Sequence, residues 1–198
     1  NKQNAIILYS GGNGQITTAE IDQTLQHFGS DDVLVLQNEI VHTDYLIKAA
    51  AQRGMKVCMN VAPFDPSVLT LPLELVDLLV VNEIEGAGLA GMQETQDFKA
   101  ILERLVTRFP NSQILLTIGK QGCWYAFKDL RIHHDIYDTE VVDTTAAGDT
   151  FIGYYLASIA RGHSIRQALQ YASKAAGLAV SRPGAMASIP LADEVFYY

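Results

Sequence analysis

The sequence contains few of the residues on which secreted and membrane proteins depend. It has two cysteines among its 198 residues, and both Cys58 and Cys123 lie within apolar runs. Such cysteines are typical of reduced thiols in the core of a cytoplasmic protein rather than of a disulfide framework. The sequence also lacks an apolar run of the roughly 18 to 20 residues needed to cross a bilayer, and it does not open with a signal peptide. We therefore expect a cytoplasmic protein that does not use a membrane.

Positive charge is also scarce. The chain has 14 lysines and arginines against 22 aspartates and glutamates, which gives a net charge of −8. A surface that binds a nucleic acid needs clustered basic side chains, whereas the basic residues of this sequence are scattered. We therefore expect no nucleic-acid partner. Anionic small molecules are not excluded, because backbone amides or a metal ion can bind them locally.

Two nucleotide-binding signatures are absent as well. The sequence has no Gly-Lys-Ser/Thr of a Walker A loop, and the glycines of Gly11–Gly14 do not have Gly-x-Gly-x-x-Gly spacing. This argues against an NAD(P)-binding oxidoreductase. The five histidines show no metal-ligand pattern, and the adjacent His133 and His134 are predicted to lie on the surface of a hairpin, pointing to opposite faces of a strand.

Apolar runs that alternate with helical patterns dominate what is present. Hydrophobic residues make up 48% of the chain and charged residues 18%, and the length predicts one domain over residues 1–198. The run at 33–36 is continuously apolar, which predicts a strand buried on both faces. The predicted strands are 5–9, 33–36, 56–60, 78–81, 113–117, 123–127 and 132–137. The predicted helices begin near residues 17 (after a Thr17–Glu20 capping box), 43, 83, 95, 148 and 164. This alternation predicts an α/β fold with a mostly parallel sheet.

Polar residues follow several of these strands. They are Glu39, Asn60, the Asn82–Glu85 segment and the Thr117–Gly122 segment. Ligands of open α/β sheets bind outside the carboxyl ends of the strands, so we expect these residues to face one crevice. Each also has a plainer interpretation. Glu39 can interact with a helix dipole, and Asn82 can cap a helix whose Glu85 is solvated. The glycines of the Thr117–Gly122 segment can belong to an ordinary turn between two strands. The same segment also suits a nucleotide phosphate, with Thr117 or Lys120 in reach.

The most informative segment is Asp143–Asp149, in which two carboxylates flank small residues directly before a helix. A helix N-terminus presents unpaired N–H groups that suit a phosphate, and a nearby carboxylate can accept a hydroxyl proton. The alternative is an ordinary aspartate N-cap. Further along, Arg182–Ser188 forms either a carbonyl-lined loop for a monovalent cation or a plain helix stop.

Taken together, five ordered segments resemble the ribokinase/phosphofructokinase-B family of sugar kinases along essentially the whole chain. The matched family motifs are Asp-Thr-x-Ala-Ala-Gly-Asp, Asn-x-x-Glu, Thr-Leu-Gly-x-x-Gly, Asn-x-Ala-Pro and Arg-x-Gly-Ala. They correspond to Asp143–Asp149, Asn82–Glu85, Thr117–Gly122 (with Ile118 in place of the leucine), Asn60–Pro63 and Arg182–Ala185.

The resemblance implies a three-layer αβα fold and transfer of the ATP γ-phosphate to a hydroxyl of ribose or a related sugar. It implies that Asp149 is the base and that Glu39 and Asp149 contact the sugar. The anion hole would be formed by the amides of Ala146, Ala147 and Gly148. The ATP site would include Asn82, Thr117, Gly119, Lys120, Gly122 and Ser173. Glu85 would organise Mg²⁺ through water. A monovalent cation, K⁺ in this family, would be surrounded by Asp143, Thr145, Ala179, Arg182, Gly184 and Ser188.

One departure from the family concerns length. The family's chain is longer, and this sequence resembles roughly its C-terminal two thirds, without the first strands and the β lid. We expect such a chain to expose an apolar sheet flank and an unpaired edge. It should then be unstable alone, form a homo-oligomer or associate with another chain through that flank, or be a piece of a larger protein. An alternative function follows, namely a catalytically incomplete nucleotide-binding fragment that acts as a binding or regulatory module.

Overall fold

The structure is a computed structural model, and it describes residues 9–93, 95 and 97–197. The strand predicted at 5–9 therefore lies outside the described residues except for Tyr9. The strands are β1 (Val33–Leu36), β2 (Lys56–Asn60), β3 (Leu78–Asn82), β4 (Gln113–Thr117), β5 (Cys123–Phe127) and β6 (Leu130–His134). The helices are α1 (Thr18–Leu25), α2 (Thr43–Gln52), α3 (Glu83–Ala90), α4 (Phe98–Arg108), α5 (Ala147–Ala160), α6 (Ile165–Val180) and α7 (Ala192–Phe196).

The strands form a six-stranded sheet in the order β1-β2-β3-β4-β5-β6. β1 pairs with β2, and β2 with β3, in parallel, while β5 and β6 are antiparallel. α2 connects β1 to β2, and a segment with two short 3-10 helices connects β2 to β3, since parallel neighbours need long crossover connections. The predicted α/β class with a mostly parallel sheet is confirmed.

The chain divides into two compact units, residues 1–114 and residues 115–198, and each is described by itself. In the first unit, β2 and β3 are buried on both faces, and the side chains of Val57, Met59 and Leu79 are fully inaccessible. Strands covered on both sides are expected to be continuously apolar, which is why these runs were recognisable in the sequence.

The expectation that β1 is buried on both faces is wrong. Val33 is 51% exposed and Val35 is 50% exposed, whereas Leu36 is buried. The reason is its position at the end of the sheet order, where only β2 pairs with it within the described part of the chain. Its apolar side chains, together with α1 and Phe28, border a cavity of about 650 Å³. An exposed apolar flank was expected, and the structure has one at this strand.

In the second unit, the β5–β6 hairpin confirms the predicted antiparallel pair, but not the predicted strand at 132–137. Pairing begins at once after a two-residue turn, with Phe127 opposite Leu130. Lys128 in the turn has a φ of 49°, and a left-handed residue is what such tight hairpin turns require. The strand therefore starts and ends earlier than its β-like composition suggested.

Helix starts follow the local sequence closely. The capping box predicted at α1 is present: Thr17 Oγ1 accepts the Glu20 N–H at 3.3 Å and Glu20 Oε2 accepts the Thr17 N–H at 2.8 Å. α6 has the same arrangement through Ser164 and Gln167. These reciprocal bonds satisfy N–H groups that the helix itself leaves unpaired.

Both cysteines are buried, one in each unit, and burial raises the pKa of the Cys58 and Cys123 thiols to about 12. They are core residues, as predicted. Over the described residues, no helix combines the length and the apolar character that crossing a membrane would require.

Leu79 offers a test of the core of the first unit. Because its side chain is fully buried, Leu79→Ala should lower the free energy of unfolding by about 2 to 5 kcal/mol. The same substitution at Leu69, which is 42% exposed, should cost about 1 kcal/mol or less. Urea unfolding followed by circular dichroism compares the two. Equal losses would contradict the assignment of Leu79 to the core.

Candidate functional site

In the first unit, Asn82 and Glu85 close the junction of β3 and α3. Asn82 Oδ1 accepts the N–H groups of Ile84 and Glu85, both at 2.9 Å, and Glu85 Oε2 accepts the Asn82 N–H at 2.8 Å. The expected capping role of Asn82 is thus present. Since its carboxamide oxygen is used by the helix, any ligand contact of Asn82 would go through its Nδ2 amino group.

Glu85 is not the solvated residue of the plainer interpretation, because its side chain is buried, with 7% exposure. Desolvation by burial raises the pKa of this carboxyl, while its bond from the Asn82 N–H partly lowers it. A buried carboxylate with a raised pKa favours a proton or a cation as its neighbour. Oxygen ligands of this kind suit Mg²⁺, usually through water.

The loops that follow β1 and β2 are tied together. Asn38 N donates to Ala62 O at 2.9 Å, and its Nδ2 donates to Pro63 O at 2.8 Å and to Asp65 Oδ2 at 3.0 Å. This places the exposed Glu39 beside the Asn60–Pro63 segment. Because β1, β2 and β3 are parallel, Glu39, Asn60 and Asn82 follow strands that end at the same edge of this unit.

In the second unit, Thr117–Gly122 forms a narrow turn between β4 and β5. The Ile118 N–H donates to Gly122 O at 2.9 Å, and residues Gly119–Gln121 form a short 3-10 helix. Gly122 has a φ of +86°, and a Cβ there would lie 2.0 Å from the carbonyl oxygen of His134. Glycine is therefore required at this position, and Lys120 is exposed at the tip of the turn.

The Asp143–Asp149 segment leads into α5. The N-cap of α5 is Ala146, which has a left-handed backbone with φ 60° and gives no side-chain cap. The Ala147 N–H reaches Thr144 O at a long 3.3 Å. Asp149 is exposed and occupies the first turn of the helix. An ordinary aspartate N-cap was the alternative, and it is wrong here.

Asp143 joins this segment to the loop after α6. Its Oδ1 accepts the Thr145 N–H at 2.9 Å and the Thr145 hydroxyl at 2.7 Å, and its Oδ2 accepts the Gly184 N–H at 3.0 Å. These bonds, the Thr145 hydroxyl first, lower the pKa of Asp143. The structure thus brings the segments at 143–149 and 182–188 together, and the cation site itself stays a prediction.

The Arg182–Ser188 loop is rich in backbone carbonyls and poor in acids. Ala179 O accepts the Arg182 N–H at 3.1 Å, and the fully buried Ser188 donates its hydroxyl to Ala185 O at 2.7 Å. Across the residues that the structure describes, no cluster of three or more His, Cys, Asp or Glu side chains could hold a metal ion. The donors near Asp143 are a carboxylate, hydroxyls and backbone carbonyls, and such oxygen ligands suit a hard cation rather than a soft transition metal.

Ser173 is committed to the fold. Its hydroxyl donates to Asp135 O at 3.0 Å, and it borders a cavity of about 600 Å³ together with Ile136 and Tyr137.

Two contacts carry no signal in the sequence: His133 Nε2 lies 2.9 Å from Gln121 O, and Arg182 pairs with Glu194. The two residues of each pair lie in different segments of the fold, so no short-range pattern in the sequence predicts the contact. That all these residues share a single crevice stays a prediction.

Comparisons with known proteins show the family of the chain. Residues 1–192 match the model of the pfkB family carbohydrate kinases, and the chain belongs to this family. A ribokinase of Staphylococcus aureus is 32% identical over 98% of this chain and 64% of its own length. The chain thus spans about two thirds of the length of the curated relatives that it matches.

Solved structures support the fold. The ribokinase of Arabidopsis thaliana, solved with ribose and ATP, superposes with a TM-score of 0.82 at 28% identity, covering 98% of this chain and 64% of its own. The ribokinase of Cryptococcus neoformans, solved with ADP, gives a TM-score of 0.84 at 26% identity, with coverage of 98% and 66%. The ribokinase-like three-layer αβα fold is confirmed.

Because Ala146 has a left-handed backbone, glycine should change the free energy of unfolding in opposite directions at Ala146 and at the neighbouring Ala147. A left-handed non-glycine residue costs about 1 to 2 kcal/mol, so Ala146→Gly should raise the free energy of unfolding by up to about 1 kcal/mol after the entropy of the unfolded glycine is subtracted. Ala147→Gly, at the first residue of α5, should instead lower it, by less than the roughly 1 kcal/mol that glycine costs in a helix interior. Denaturant unfolding of both variants tests this, and a loss of stability in Ala146→Gly would contradict it.

The raised pKa of Glu85 predicts a pH dependence. A carboxyl whose pKa is higher in the folded state than its ordinary value near 4.5 adds stability below that value and loses it as the pH rises through the folded pKa. Glu85→Gln, which stays neutral, should therefore become more stable relative to wild type as the pH is raised from about 4 to about 8.

The exposed Glu74, which lies in the same unit, supplies the control for this measurement. Glu74→Gln should show no such gain over the same pH series of urea unfolding curves. A constant difference between Glu85→Gln and wild type at every pH would refute the proposed effect of burial.

Proposed function

We propose that this protein is an ATP-dependent carbohydrate kinase that transfers the γ-phosphate to a hydroxyl of ribose or a related sugar. The observation that carries the proposal is the start of α5, where a left-handed, uncapped N-terminus stands beside an exposed carboxylate in the first turn. Main-chain N–H groups at such a helix start bind a phosphate, and we assign the role of base to the carboxylate. The ribose and ATP bound to the Arabidopsis thaliana relative support this choice of substrates.

In the second unit, we assign the transfer step to Ala146–Asp149. Asp149 accepts the proton of the attacking sugar hydroxyl, whose oxygen forms the new bond to the γ-phosphorus while the bond to the leaving ADP oxygen breaks. The N–H groups of Ala146, Ala147 and Gly148 stabilise the charge on the transferring phosphoryl group. The N–H of Ala147 is available because its bond to Thr144 is long, at 3.3 Å.

We propose further contacts with ATP. Asn82 contributes through its amino group, and the turn from Thr117 to Gly122 contributes backbone N–H groups and the exposed Lys120. Ser173, whose hydroxyl is used by Asp135 O, contributes apolar surface. Glu39 contacts the sugar hydroxyls. Mg²⁺, held through water by Glu85, would neutralise phosphate charge when bound.

A monovalent cation such as K⁺ fits the carbonyl-rich loop beside Asp143. The carboxylate accepts hydrogen bonds from Thr145 and Gly184, which leaves it charged and close to the neighbouring backbone oxygens. We assign the carbonyls of Ala179, Arg182 and Gly184, together with Ser188, to this cation. Its role is to hold the segment that precedes α5.

The alternative hypothesis is a nucleotide-binding module that binds ATP without turnover. The two functions differ in whether ADP is released from ATP in the presence of a sugar.

The decisive substitution is Asp149→Asn. It removes the proton acceptor but preserves the size of the side chain, so kcat should fall by at least about 100-fold while the Kd for ATP stays close to that of wild type. Asp129→Asn, in the exposed β5–β6 turn, is the matched control and should leave both values unchanged. Coupled ADP release with a panel of pentoses and hexoses, together with ATP calorimetry, measures both quantities.

The outcomes of this experiment separate the hypotheses. Turnover that persists in Asp149→Asn would refute Asp149 as the base. Wild-type protein that binds ATP without turning over any sugar would favour the nucleotide-binding module, and protein that does not bind ATP would overturn both proposals.

A further inference from the structure

A two-point ion pair ties the start of the Arg182–Ser188 loop to α7. Arg182 Nη1 donates to Glu194 Oε2 at 3.4 Å, and Arg182 Nη2 donates to Glu194 Oε1. Glu194 Oε2 also accepts the Leu191 N–H at 2.8 Å. An arginine fork that meets both carboxylate oxygens fixes direction as well as distance. The guanidinium group of Arg182 is therefore held in one orientation, and the backbone at the start of the loop is held by the Arg182 N–H, which donates to Ala179 O at 3.1 Å.

α7 itself is firmly seated in the second unit. The Phe196 ring lies 4.8 Å from the ring of Tyr171 and 5.7 Å from that of Tyr154, and the Arg161 guanidinium lies 4.4 Å from its centroid. Lys174 Nζ donates to Val195 O at 3.2 Å. These contacts join α7 to α5 and α6. The position of Glu194 is consequently fixed by the packing of α7 against α5 and α6.

The same loop is held a second time, two residues further on. The Gly184 N–H donates to Asp143 Oδ2 at 3.0 Å, and Asp143 Oδ1 holds Thr145. The stretch from Arg182 to Gly184 is thus fixed by Glu194 at one end and by Asp143 at the other. Its backbone carbonyls are among those assigned to the monovalent cation.

We propose that Glu194 is a positioning residue, which acts through Arg182 to aim the carbonyls of the 182–184 backbone at the bound cation. This inference rests on the proposed function, because it concerns the cation loop of that site. Residues behind the ligands of a metal commonly change its affinity by 10- to 100-fold. The pair is partly exposed, with side-chain exposures of 35% and 38%, and such pairs contribute little to stability. Its loss should therefore affect the cation more than the fold.

The test is a double-mutant cycle with K⁺ as the probe. Arg182→Gln, Glu194→Gln and the double variant retain the backbone carbonyls and lose the ion pair. The Kd for K⁺ is obtained from calorimetry and from the rise in Tm when KCl replaces choline chloride at constant ionic strength. Asp44→Asn, which breaks the exposed Lys48–Asp44 pair of the first unit, is the control.

We expect each single variant to raise the Kd for K⁺ by roughly 10-fold, and the double variant to be no worse than either single one, because both remove one interaction. The Asp44→Asn Kd should equal that of wild type. An unchanged Kd in both single variants, or additive losses in the double variant, would overturn the positioning role while leaving the proposed function intact. A wild-type protein that does not bind K⁺ would overturn the cation site itself, and a Tm loss without a change in Kd would assign the pair to stability alone.

Discussion

The hydrogen bonds to Asp143 are the constraint on which the candidate site of the second unit depends. One carboxylate receives the Thr145 N–H, the Thr145 hydroxyl and the Gly184 N–H, so it connects the approach to α5 with the loop after α6. Each bond to an ionised acceptor is stronger than a neutral one. Ala146, three residues on, can keep its left-handed backbone because the chain before it is held. Without this carboxylate, the hydrogen bond that connects the segment before α5 to the loop after α6 would be lost.

Two helix starts in this protein use the same backbone property in opposite ways. At α3, Asn82 and Glu85 satisfy N–H groups by a reciprocal pair of bonds, and the helix end is closed. At α5, Ala146 offers no side-chain oxygen, and the N-terminus is open with Asp149 beside it. A closed end contributes stability, whereas an open one gives up that contribution and can receive an anion. Because of this difference, we place the proposed group transfer at the second segment.

Much of the fold followed from the sequence because its signals are local. The bounds of β2, β4 and β5 match the predicted strands, and the N-caps of α1 and α6 are written in a Ser or Thr with an acid or amide three residues later. Features set by distant residues were missed. Val33 is exposed because of its place in the sheet, and Glu194 meets Arg182 through the packing of α7. Likewise, no propensity rule would assign Ala146 a left-handed backbone.

The two buried cysteines have a practical consequence. Cys58 lies in one compact unit and Cys123 in the other, and burial lifts the pKa of each thiol to about 12. Alkylating reagents attack the thiolate, so in the native protein each sulfur is shielded both by neutral protonation and by neighbouring side chains. Each becomes reactive only when its surroundings open. The rates at which Cys58 and Cys123 are labelled, read separately by peptide mass spectrometry, therefore report the local opening of each unit.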